Sequence, residues 1–99
     1  MNIKALLKLA VNYNTIEINR QVSEMQMLLG NLALAREHLS AYAKHLQAVQ
    51  DGKHAPTLDL NIAQKATEVA VNETRLFHLY LDLATSLKVQ GATDPCLDV

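Results

Sequence analysis

Gln50-Asp51-Gly52-Lys53-His54-Ala55-Pro56-Thr57 decides the fold, because it is the clearest place in the chain where a helix cannot continue. Its glycine suits the left-handed residue that follows a helix C-terminus, and its proline cannot extend a helix that is already under way. On either side the residues are helix formers. Leu occurs 17 times and Ala 13 times, and no window alternates apolar with polar residues as a half-buried strand would. The fold class read from this is all-α.

Upstream of the break, Ile18, Met25, Leu32, Leu39 and Leu46 recur every seven positions, with Val22, Leu29, Tyr42 or Ala43, and Val49 on the same side. Downstream, Ile62, Val69, Leu76 and Leu83 keep the same spacing, flanked by Ala66, Leu79, Tyr80 and Leu87. Each is the apolar stripe of an amphipathic helix. Asn14-Thr15-Ile16-Glu17 reads as the first helix start, with Asn14 capping and Glu17 reaching back. Thr57, or less favourably Asp59, caps the second, which Gly91 and Pro95 end. The reading therefore places helices at about 2–12, 15–50 and 58–90 in a single domain, 1–91, followed by a flexible tail, 92–99.

Two segments of similar length joined by a short turn predict an antiparallel hairpin of two long amphipathic helices, with a short N-terminal helix before them. Residues at one level of such a hairpin have numbers with a constant sum. Leu46 with Ile62, Leu39 with Val69, Leu32 with Leu76 and Met25 with Leu83 all sum to 108, which folds the chain about His54. Gly30 is the weak point, since an interior glycine costs about 1 kcal/mol relative to alanine. The stripe keeps its phase through Gly30, which favours one continuous helix. The alternative is a compact monomeric four-helix bundle broken there.

The same register sets Arg36 within about one residue of Glu73, a pair able to fix the alignment of the helices. Met27, Leu28, Leu34, Val71, Phe77 and Leu81 fall outside the stripes and exceed what a two-helix hairpin covers. They are read as a partner-binding or oligomer face. Dimerisation of the hairpin, coiled-coil fashion, would complete a helical bundle over them.

No residues suggest chemistry. His38 and His45 are seven apart, wider than the usual metal-ligand spacing on a helix, and His78 is out of their reach in the hairpin register; His54 is read as solvated in the turn. Glu-x-x-His, His-Glu-x-x-His, phosphate-binding glycine loops and Gly-x-Ser-x-Gly are absent from the sequence. The expectation is no catalytic residue, no metal and no cofactor. Nine Lys and Arg against ten Asp and Glu provide no basic field, so nucleic acid is disfavoured, though a helical nucleic-acid-associated subunit of a larger assembly is kept as the alternative function. The lysines Lys4 and Lys8 are too few to specify a membrane surface, and no apolar run approaches the roughly 20 residues that span a bilayer.

Cys96 is the single cysteine, which fits a reducing, cytoplasmic setting. Asn72-Glu73-Thr74 matches a glycosylation sequon, but within a helix and with no signal peptide apparent in MNIKALLKLAV it is read as chance. The function expected from all this is a non-enzymatic protein-protein interaction module, an adaptor, chaperone, inhibitor or small structural component. Its partners are a second copy of itself and another protein.

Overall fold

The structure, a computed structural model, describes residues 1–49 and 52–97. It contains α1 (Ile3–Ala10), α2 (Ile16–Ala48), α3 (Pro56–Val89) and a single 3-10 turn, Pro95–Leu97. The two long helices pack tightly as a helical hairpin. Gln50, Asp51, Asp98 and Val99 lie outside the described residues, and with them the expected extension of the first long helix to Gln50 and the end of the tail.

Local chemistry sets each boundary. Asn2 caps α1, its Oδ1 accepting the Ala5 N–H at 3.0 Å. Thr15, one residue later than the sequence reading placed it, caps α2: its Oγ1 accepts the Ile18 N–H at 3.1 Å, while Asn14 instead accepts from Asn19 Nδ2 at 2.7 Å. The third helix begins at Pro56 rather than after a Thr57 cap. Proline fits that first position, where its missing N–H would have no helical partner and its φ is already helical. His54 is half-buried in the turn, and its Nε2 lies 3.0 Å from both carboxylate oxygens of the exposed Asp59. Gly52 adopts φ 74°, the left-handed conformation the turn requires.

α2 passes through Gly30 without a break, so the alternative bundle split at that residue does not form. Its heptad spacing is visible directly in burial. Ile18, Gln21, Met25, Leu28, Leu32 and Ala35 are buried, and Leu39, Tyr42, Leu46 and Val49 continue the same three-four alternation half-buried. The flanking positions expected from sequence, Val22 and Leu29, are only half-buried, because the second core position of each heptad falls one residue earlier, at Gln21 and Leu28.

The chain forms two compact units. The first comprises Met1–Leu29 and Thr74–Val99; the second is Gly30–Glu73. In the first, Leu6 and Ala10 of α1 are buried together with Ile18, Met25, Leu83 and Leu87 of the long helices. Tyr80, only 1% exposed, ties three segments together: its hydroxyl donates to the Cys96 carbonyl at 2.6 Å and accepts from the Asn2 N–H at 3.3 Å.

Residues 92–97, read from sequence as part of a flexible tail, have a defined place in this unit. Gly91, at φ 89°, ends α3 in a Schellman motif: the Ala92 N–H donates to the Leu87 carbonyl at 3.0 Å and the Gly91 N–H to the Lys88 carbonyl at 3.0 Å. Ala92 and Leu87, the apolar pair of that motif, are both buried, as is Leu97. Asp94 then accepts the Cys96 N–H at 3.0 Å, and this hydrogen bond to its charged form holds its carboxyl below the ordinary carboxylate range. The interior of this unit includes one poorly satisfied group, Gln21, whose Oε1 accepts no hydrogen bond among the described residues.

Two substitutions test these assignments. Tyr80→Phe leaves the Cys96 carbonyl and the Asn2 N–H without their shared partner and is expected to lower stability by about 1–2 kcal/mol. Urea unfolding checks the value, and an unchanged midpoint would show that the hydroxyl is not bonded. Gly30→Ala is expected to stabilise by about 0.5–1 kcal/mol, since a Cβ there meets nothing within 4 Å and the residue is helical. Destabilisation in thermal melts would mean that α2 departs from helix at this residue.

Candidate functional site

The Gly30–Glu73 unit is a segment of two-helix hairpin, and its seam is not fully covered. Leu32, Ala35 and Leu58 are buried, while Leu39, Leu46, Ile62 and Val69 stay half-buried. α3 supplies one reason. Counting by threes and fours from Leu58, its inward positions here are Ile62, Lys65, Val69 and Asn72, so two of the five are polar. A lysine or an asparagine on the inner line needs access to water or a polar partner, which keeps that edge of the seam open.

The two edges differ. Along one, Arg36 Nη2 donates to Glu73 Oε1 at 3.1 Å, and the residue numbers sum to 109, one from the register read in the sequence. The side chains are 57% and 51% exposed, so the pair marks alignment and contributes about 0–1 kcal/mol at most. Ala33 and Ala43 of α2 and Ala63, Ala66 and Ala70 of α3, all exposed, stand on this side at helical spacing from the pair. Along the other edge, Asn31, Leu34, Ala35 and His38 face Lys65, Glu68 and Asn72 across a groove of about 240 Å³. Lys65 Nζ pairs with Glu68 at 3.0 Å within it.

The six apolar residues singled out in the sequence do not converge on one face. Leu28, at 6% exposure, is a correction: it is a core residue of the first unit and cannot present a binding surface. Met27 and Phe77 are exposed in that unit and Leu81 is half-buried there. Leu34 and Val71 are exposed in the second unit, and Leu34 lines the groove. What sequence reasoning missed is the alanine edge. The signal was the periodicity of α3, in which Ala66 lies seven residues before Glu73 and fourteen before Tyr80 on one strip.

Chemistry-bearing side chains do not cluster. Among the described residues no three His, Cys, Asp or Glu are grouped as metal ligands would be, and His38 and His45 are both exposed. No helix among these residues is long and apolar enough to cross a membrane.

If polar inward residues keep the seam open, Asn72→Leu should stabilise the chain by about 1 kcal/mol, the order expected for partial burial of a leucine side chain. Denaturant unfolding measures it, and a loss of stability would show that Asn72 makes a polar contact its replacement breaks. No known family, curated protein or solved structure matches this chain.

Proposed function

We propose that this chain is a non-enzymatic protein-protein interaction module, an adaptor, chaperone, inhibitor or small structural component, whose binding element is the open apolar face of the Gly30–Glu73 hairpin. One observation carries the reading. On α3, Tyr80 and Ala84 are buried in the first unit, whereas Phe77, one turn before them, and in the second unit their heptad equivalents Ala63, Ala66 and Ala70 are exposed, the alanines beside half-buried Ile62 and Val69. A helix strip that is closed along part of its length and left open along the rest is the pattern of a surface awaiting a covering helix.

The remaining features agree with this reading. The exposed alanines let a second helix approach closely, and the mixed surface charge gives no field of one sign. A single cysteine is compatible with a reducing, cytoplasmic setting.

A photo-crosslinking residue placed at Ala66 in the full chain, expressed in cells, is expected to form protein adducts several-fold more abundantly than one at Gln64, which is exposed on the opposite side of α3. Equal yields at the two positions, or none at either, would remove the proposed face.

A further inference from the structure

We infer that the occupant of this open face is a second copy of the chain, docked hairpin to hairpin about a two-fold axis with α2 of one copy over α3 of the other. The inference rests on the interaction-module reading and names its partner.

Area is the first argument. The chain exposes 6690 Å² at a mass of 11.0 kDa. A folded monomer of that mass is expected to expose roughly 5,600 Å². The surplus, roughly 1,100 Å², exceeds the ~800 Å² that each partner contributes to a standard protein interface.

Charge is the second argument, and it favours a second copy of the chain. Gly30–Glu73 carries four Lys and Arg against five Asp and Glu, so two copies meet without net repulsion of consequence. On the alanine edge the charges are arranged by helix: Arg36 belongs to α2 and Glu73 to α3. Such a face is complementary to itself when α2 lies over the partner's α3, because Arg36, already bonded to Glu73 of its own chain, then also lies beside Glu73 of the partner subunit, and the symmetry axis repeats the arrangement. An isologous contact of this kind closes on itself as a dimer. The alanines between these charges permit the ~8 Å axis separation at which helices pack most closely.

Sedimentation equilibrium and light scattering on the purified full chain, from micromolar to several hundred micromolar, test the assignment. The expected result is a species of twice the 11.0 kDa chain mass. Ala66→Arg with Ala70→Arg is expected to halve that mass while circular dichroism shows the helices intact, and Gln64→Arg is expected to leave the dimer unchanged. Arg36→Glu should weaken association about tenfold by setting like charges together, with Glu73→Arg added to it restoring affinity. A single 11.0 kDa species at every concentration overturns the second-copy assignment, as does a dimer indifferent to the two arginines. The two readings fail separately: a monomer that still crosslinks to other proteins from Ala66 removes only the second copy, while a monomer with no adducts there removes the binding face as well.

Discussion

One hydroxyl group organises the best-covered part of this protein. Tyr80 is almost wholly buried, and its oxygen both donates to the Cys96 carbonyl and accepts from the Asn2 N–H. A buried phenol needs a partner for its O–H, and a chain segment returning past a helix needs a partner for its carbonyl. Both needs are met at one point, which brings residues 78 and 16 positions away onto α3. Around that point the first unit acquires elements that its two long helices alone would lack: α1 with Leu6 and Ala10, and the 3-10 turn with Leu97.

The second unit has neither addition, and the consequence is written in burial rather than in helix content. The three-four alternation runs along α2 without interruption, yet the residues it designates as core are buried up to Ala35 and half-buried from Leu39 onward. Lys65 and Asn72 accentuate this by placing polar groups on the inward line of α3. Polar residues on such a line lower stability and fix alignment at the same time. Here Arg36 and Glu73 show what the alignment is.

Much of this was legible in the amino-acid sequence, for a physical reason: helices are local, and their period can be counted. The all-α class, the hairpin, the turn at Gly52 and the continuity through Gly30 follow from spacing and from two special residue types. The errors arose where tertiary partners decide. Asn14 and Thr15 are both competent caps, and the choice between them turned on Asn19 being available to Asn14. The tail looked loose because Pro95 and Gly91 are breakers, but a Schellman turn redirected the chain so that Leu97 could bury. Leu28 was misplaced by one position in the heptad, enough to turn a core residue into an apparent surface one. The alanine edge escaped notice because alanine contributes little to any hydrophobicity pattern, and its significance depends on the neighbouring helix.

The contrast between the units also bears on how binding would relate to stability. A contact that removes the open face of Gly30–Glu73 from water acts on the part of the chain with the least apolar burial, so its free energy adds where intrinsic stability is lowest. α2 and α3 already pack as a hairpin within the single chain. On the proposed reading the binding surface is therefore formed before the encounter, and association need not supply the full cost of ordering it. A short helix and a six-residue C-terminal return, both closed on Tyr80, would then do for the first unit what a bound helix does for the second.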